Sequence, residues 1–576
     1  MPVIPAFFKF LEMRRILFTI PFLVFLGTLF AQEVLPPELQ SKYHMIYADE
    51  MKNLDMPSKA FETTPPPTGG VRNIAEFERN QGVIISYPGY FGIPYTLISE
   101  LAEDVTVYVI CESSDQTNVY NDLDSEGVNM ANIEFVDAPL DSHWARDYSP
   151  WFIEHGENNE LGIVNFPYNR PRPNDDEIPV VFGTYLDVDV FGMDLEHTGG
   201  NYMCDGMGTS ASCNLVYTEN PGLSASEVDD LAFDYLGADT YHLVQDPLDD
   251  YIEHIDCWGK FLDVDKMLVA SVPASDYRYA DFEAMADYWA NETTPYGNNY
   301  QVYRTAWMVE DNAYTNSLIM NDKVLIPFNT GSAGDYNAAA AEIYEEAMPG
   351  YEVIGISYNG WYSTDALHCR THEVPDKEML RIEHFPTLGS VEYQEVYEFT
   401  ADVYTFGNAA TISSVEFYYS VNGGAYSSVP MNLVSGDTYS VSISTFNEEE
   451  TISYYIEAQN SAAKTETHPF IGEPDPHVFT IQSSTQNINY VENPYVKAYP
   501  NPTKESLYLI TNNLPQDEYV CTIYDQQGKL VMTINKDMYS SEWDLRQIDI
   551  SSLESGLYFV RATSEGNTFT TKFIKL

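Results

Sequence analysis

The spacing of apolar residues changes period once along this chain, near Phe385, and the two sides of that change cannot share one architecture. Upstream, strand-like and helix-like runs alternate. Residues 82–87 and 105–110 are short apolar runs of the kind buried in a parallel sheet, and they bracket the helix-like 97–104. The order recurs at 324–327, 337–348 and 351–356, where an alanine-rich stretch favours helix between two strand-like runs. Parallel neighbours need such a crossover, so residues 71–385 are predicted to form one α/β domain. Downstream, apolar and polar residues alternate over short runs, as at 414–419 and 452–457, and Asn422-Gly423-Gly424 supplies a hairpin turn. Residues 386–482 are predicted to be a β-sandwich of immunoglobulin type, without the Cys…Trp…Cys spacing of antibody domains. A polar linker, 483–493, leads to a further all-β module at 494–576.

The first 31 residues have a different grammar. Arg14 and Arg15 precede the apolar run 16–30, and Ala31 follows, the order of a cleavable export signal. The run is interrupted by Pro21 and is short for a membrane span, so the mature protein is expected to have none. Residues 32–70 form a polar lead-in that stops at Thr64-Pro65-Pro66-Pro67-Thr68-Gly69-Gly70. The chain carries 28 basic against 87 acidic residues, a net charge of −59. That field repels nucleic acid and anionic membrane surfaces and suits a cationic substrate. Six cysteines show no repeating framework; Cys204 and Cys213 are candidates to pair with each other.

Four segments concentrate the chemistry. Cys369 lies in the run Thr364 to His372, and Asp147 closely follows Trp144 in Ser142 to Tyr148. His254 and Asp256 would share one face if their segment is a strand. Gly199-Gly200 marks a turn where backbone must approach something closely. A guanidinium is flat, cationic and weakly electrophilic. Two carboxylates can fix its plane through paired N–H bonds, a thiolate can attack its central carbon, and an imidazole can protonate the departing ammonia and then activate water. Asp147 and Asp256 suit the clamps, Cys369 the nucleophile and His254 the acid and base. On its own, a His-x-Asp pair is more often a structural hydrogen bond, and an isolated cysteine a small buried residue. A metal at His254, Asp256 and Cys257 lacks a second ligand group, so none is expected. Arg170 and Arg172 need a carboxylate, either a ligand's or that of Asp175, Asp176 or Glu177 nearby.

The order Ala145-Arg146-Asp147, Gly199-Gly200-Asn201, His254-Ile255-Asp256 and a late Cys369 resembles the guanidine-modifying superfamily, whose fold is a five-bladed α/β propeller, the pentein fold. More narrowly, Tyr168 to Glu177, Tyr314-Thr315-Asn316-Ser317-Leu318 and Thr364 to Glu373 resemble the bacterial, Porphyromonas-type peptidylarginine deiminases, as does the layout of signal, catalytic domain, immunoglobulin-like domain and tail. Tyr499-Pro500-Asn501-Pro502, Tyr524 to Leu530, Gly556 to Val560 and Lys572 to Leu576 resemble the type IX secretion C-terminal sorting domain, a small β-sandwich. The resemblance implies a secreted or surface-held hydrolase that turns peptidyl arginine, preferentially C-terminal, into citrulline and ammonia. Agmatine is the rival substrate, and a non-catalytic adhesin the rival of another class. By matching motif it implies Cys369 as nucleophile, His254 as acid and base, Asp147 and Asp256 as guanidinium holders, and Asn316 as a positioning residue. Trp144 would lie against the substrate, with Arg170 and Arg172 on its carboxylate. Arginine-containing peptides and the type IX machinery are the implied partners, and no cofactor is implied.

Overall fold

The computed structural model describes residues 61–248, 252–308, 312–483, 495–499, 501–512, 520–534, 546–564 and 567–576. The expected signal, most of the lead-in and nearly all of the expected linker lie outside the described residues. Two compact units divide after Ile481.

In the first unit one connection recurs in five sheets: two antiparallel strands, a helix, and a strand parallel to the second. Trp151–His155 and Glu160–Asn165 are antiparallel, helix Ile178–Leu186 crosses over, and Asp189–Gly192 pairs in parallel. Met203–Cys204, Thr209–Cys213, helix Ala225–Leu236 and Thr240–Val244 repeat this. So do Gly259–Asp263, Lys266–Ser271, helix Tyr279–Asn291 and Gln301–Trp307. Leu318–Met320, Lys323–Phe328, helix Asn337–Ala347 and Glu352–Ser357 make the next. The fifth sheet ties the two ends of this region together. His372–Pro375 lies antiparallel to Asn80–Ser86, which runs parallel to Thr106–Cys111 after helix Tyr95–Asp104.

Helix Ala225–Leu236 shows how the sequence specifies a crossover. Ser224 accepts the Glu227 backbone N–H while the Glu227 carboxylate accepts the Ser224 N–H, which satisfies two orphan donors at the helix start. Val228, Ala232, Tyr235 and Leu236 fall on one face and are buried, at spacings that match the helical turn. Gly237 ends the helix in the left-handed region, φ 66°.

After this region the side-chain pattern shifts to period two. Tyr397–Thr405 buries Tyr397, Phe399, Ala401, Val403 and Thr405 and turns the residues between them outward or half-outward. Its sheet also contains Leu380–Glu383, Thr438–Ile443 and Asn432–Ser435. A second sheet is built on Ile412–Val421 and Thr451–Asn460, and the two share one core containing Phe399, Phe417, Tyr454 and Phe479. Asn422 and Gly423 both take positive φ, 51° and 70°, as a tight hairpin turn requires. Leu380–Glu383, placed upstream of the 385/386 boundary by sequence texture, pairs with Tyr397–Thr405 and so belongs to this sandwich. Half-buried ion pairs join the sandwich to the α/β sheets: Arg79 to Glu466 at 2.6 Å and Lys464 to Asp376 at 2.7 Å. Cys204 and Cys213, candidates to pair with each other, are both free thiols.

The second unit has sheets of Tyr495–Tyr499, Ser506–Asn512 and Arg546–Asp549, and of Leu530–Ile534, Val520–Asp525, Gly556–Ser564 and Asn567–Lys575. Leu507, Ile523, Val560 and Phe573 share its core. Among the described residues, no helix is long and apolar enough to cross a membrane.

Ser224→Ala is expected to lower the urea-unfolding free energy of the first unit by about 1 kcal/mol, and Ser224→Asp by no more than about 0.5 kcal/mol. Equal losses in both variants would reject the cap.

Candidate active site

A short turn stands immediately before the first strand of each repeat. Ala145–Tyr148 leads into Trp151–His155, Gly199–Asn201 into Met203–Cys204, and Ile255–Cys257 into Gly259–Asp263. Thr315-Asn316-Ser317 leads into Leu318–Met320, and His368–Arg370 into His372–Pro375. Because each turn holds the same place in its repeat, the repetition itself gathers residues that are distant in sequence.

Asn316 is the junction. Its carboxamide oxygen accepts the backbone N–H of His368 at 2.9 Å and of Cys369 at 3.2 Å. Its amide nitrogen donates to Asp256 Oδ2 at 3.1 Å and to Cys369 Sγ at 3.3 Å. Cys369 Sγ lies 3.8 Å from that same Asp256 oxygen. His254 Nδ1 lies 3.7 Å from Asp147 Oδ1, with both side chains buried. The glycine turn is what permits this approach: a Cβ on Gly200 would stand 2.5 Å from His254 Nδ1 and 2.8 Å from Asp147 Oδ1. His254 and Asp256 do not alternate on a strand as expected. Ile255–Cys257 is a 3-10 turn with His254 at its N-cap, which sends the imidazole and the carboxylate to different neighbours.

Arg170 and Arg172 are buried beside Asp147. Arg172 stacks over Trp144, its guanidinium carbon 4.5 Å from the ring centre, and donates to the Tyr168 hydroxyl at 3.2 Å. Arg170 donates to the Asn169 carbonyl at 3.1 Å. Asp175, a partner considered from sequence, feels the Arg172 charge but accepts its hydrogen bonds from Asp141 N, Ser142 N and Ser142 Oγ. Trp144 is buried as well, so its indole serves as the floor for an arginine.

Burial pushes the Asp147 carboxyl up to about 7, against the pull of Arg170. At Cys369 the contact from Cys257 pulls the thiol down, but burial and the carboxylates of Asp256, Asp365 and Asp147 outweigh it, so the thiol sits above its ordinary value. An added cation between these acids would relieve both shifts.

Sequence reasoning left His368 without a role. Its Nδ1 lies 2.7 Å from Asp256 Oδ2 and its Nε2 lies 2.7 Å from Glu76 Oε2, so the ring braces the Asp256 carboxylate from behind. Lys260 pairs with Glu76 at 2.7 Å. Burial works to raise the Glu76 carboxyl, but Lys260 first, then His368 and Arg146, hold it well below the carboxylate range. Arg146 pairs with both oxygens of Glu373, at 3.2 and 2.7 Å. Nothing local in the sequence joins Glu76 to His368; the pairing of His372–Pro375 with Asn80–Ser86 brings the two regions together. A cavity of about 60 Å³ lies on this side, lined by Glu76, Lys260 and Glu373 among others. A cleft of about 700 Å³ lies elsewhere, at Arg79, Lys323 and Lys464, and is lined by none of these groups.

Residues 72–375, more than half of the chain, match the family model of the Porphyromonas-type peptidyl-arginine deiminases. The chain belongs to that family. Its chemistry is accordingly deimination of a guanidino group. Residues 497–576 match the secretion system C-terminal sorting domain, which marks the protein for type IX export to the cell surface or exterior. A Shewanella baltica protein (strain OS155) named as an agmatine deiminase is 23% identical over 363 residues, covering 54% of this chain and 96% of its own length. The solved agmatine deiminase of Enterococcus faecalis is 18% identical, with 55% of this chain and 100% of that one covered and a TM-score of 0.49. A Porphyromonas gingivalis structure named as an arginine deiminase is 21% identical, with 54% and 99% covered and a TM-score of 0.47.

Gly200→Ala is expected to displace His254 and lower kcat by about 100-fold with the circular dichroism spectrum unchanged. A variant within about twofold of the parent would show that the close approach is not needed.

Proposed function

We propose that this protein is an exported peptidyl-arginine deiminase that converts arginine at peptide C-termini to citrulline and ammonia. The supporting observation is the pair of buried arginines beside a buried aspartate. Asp147 and Asp256 supply two acids for a guanidinium, while Arg170 and Arg172 supply two cations for a carboxylate. A free C-terminal arginine carries both groups; agmatine carries only the first. The five repeated sheets are read as blades of a pentein propeller, the following sandwich as immunoglobulin-like, and residues 1–31 as a signal that is removed.

In this reading Asp147 and Asp256 accept paired N–H bonds and hold the guanidinium plane over Cys369. The incoming positive charge favours the thiolate, which offsets the cost of ionising a thiol among acids. The sulfur adds to the central carbon, His254 gives a proton to the departing nitrogen, and ammonia leaves a thiouronium. His254 then takes a proton from water, the hydroxide adds to the same carbon, and the C–S bond breaks to give citrulline and the thiolate. Asn316 holds the turn that presents the sulfur.

The direct test is citrulline release from a peptide ending in arginine, the same peptide amidated, and agmatine. The free-carboxylate peptide is expected to be the best substrate; preference for agmatine would assign the protein to that activity instead. Arg170→Ala is expected to lower the ratio of peptide to agmatine kcat/KM by about tenfold or more. An unchanged ratio would remove the arginine from carboxylate binding.

Binding should also report the Asp147 proton. In Cys369→Ala protein, the affinity for a guanidinium-bearing inhibitor is expected to weaken about tenfold per pH unit below about 7, because the carboxyl must be ionised to hold the cation. Asp147→Asn should flatten that slope. A dissociation constant that does not vary with pH below about 7 would contradict Asp147 as a clamp.

A further inference from the structure

All six cysteines are outside any disulfide, in a protein bound for the cell exterior, where thiols ordinarily oxidise. Two of them meet at the active site. The sulfurs of Cys257 and Cys369 and a carboxylate oxygen of Asp256 all lie within 4.8 Å of one another. Each cysteine sits on a 3-10 turn, Ile255–Cys257 or His368–Arg370. A disulfide needs its sulfurs about 2.05 Å apart, so closing it requires side-chain rotation and a shift of these turns, neither of which is a strand.

Both thiols are buried. In the proposed mechanism Cys369 is the sulfur that faces the substrate carbon, so a small oxidant that follows the substrate's path meets it before Cys257. Cys257 packs in the core with Ile255, Trp258 and Met267. Packing alone does not require a thiol facing the nucleophile.

We propose that Cys257 and Cys369 form an oxidative modification site, in which a hydroperoxide oxidises the nucleophile and Cys257 closes a reversible disulfide onto it. The Cys369 thiolate attacks the outer peroxide oxygen, an S–O bond forms, the O–O bond breaks, and the alcohol or water leaves with a proton. Sulfur has then lost two electrons to the peroxide. Cys257 gives up its proton and attacks that sulfur; the S–S bond forms, the S–O bond breaks, and water departs. A dithiol reductant reverses the second state, whereas a sulfenic acid without a neighbouring thiol goes on to irreversible sulfinic acid. Because the Cys369 thiol is held above its ordinary value, disulfide formation should quicken as pH rises.

This inference depends on the deimination reading only for the loss of activity; the cross-link itself is read by mass. The full chain is exposed to hydrogen peroxide, digested without reduction and mapped, with guanidino-substrate turnover followed before and after dithiothreitol. The expected result is a peptide joining Cys257 to Cys369, lighter by two hydrogens, an activity loss of about tenfold or more, and recovery on reduction. Cys257→Ser should lose activity to the same oxidant without recovery, its Cys369 peptide carrying two extra oxygens. Irreversible loss in the parent chain, no loss at all, or a cross-link that excludes Cys257 would each overturn the proposal. If the serine variant fails to fold, the parent's cross-linked peptide and its recovery decide the question alone. If no guanidino compound is turned over, the cross-link still stands or falls by its mass.

Discussion

The Asn316 carboxamide holds the site together. Through one oxygen it orients the backbone of His368 and Cys369, and through one nitrogen it reaches both Asp256 and the Cys369 sulfur. An amide is suited to this place because it offers two acceptor lone pairs and two donors in one plane without adding charge. A carboxylate there would repel Asp256 and disfavour the thiolate; an aliphatic side chain would leave the Cys369 N–H without this acceptor, whereas the His368 N–H also reaches the Asn316 backbone carbonyl at 3.1 Å. The other groups depend on the turn that Asn316 fixes, since the sulfur can only lie over a substrate carbon if its own backbone is held.

The electrostatics of the site differ from those of the chain as a whole. A net charge of −59 surrounds a pocket in which several of only 28 basic residues converge. Lys260 and Arg146 stand behind Asp256, paired with Glu76 and Glu373, and Arg170 and Arg172 stand beside Asp147. Buried acids are costly unless they are paired. Here the rear acids are paired by the protein, and Asp147 remains raised for want of a full partner. In the proposed reading a bound guanidinium would supply that partner, so binding and relief of burial cost would be the same event.

Much of the fold was legible because its determinants are local. Helix 337–348 was readable from its alanines and is observed as Asn337–Ala347; the hairpin at Asn422-Gly423 was readable from residues that tolerate positive φ. The close approach at Gly199-Gly200 was legible for the same reason. The geometry around His254 was not, because an alternating segment reads as a strand, and the 3-10 turn that replaces it is imposed by contacts to other turns. The brace formed by His368, Glu76 and Lys260 left no trace in sequence, since its members are far apart along the chain and meet only in the folded domain, where His372–Pro375 pairs with Asn80–Ser86. Cys257 was equally silent, because a small buried thiol looks alike whether it faces a methyl group or another sulfur.

The decisive measurement is a crystal structure of Cys369→Ala protein soaked with a peptide ending in arginine. The guanidinium is predicted to lie flat between Asp147 and Asp256, with its central carbon above the vacated sulfur position and the peptide carboxylate against Arg170 and Arg172. A guanidinium found outside these two acids, or a carboxylate turned away from the arginines into solvent, would contradict the clamp on which the deimination mechanism rests.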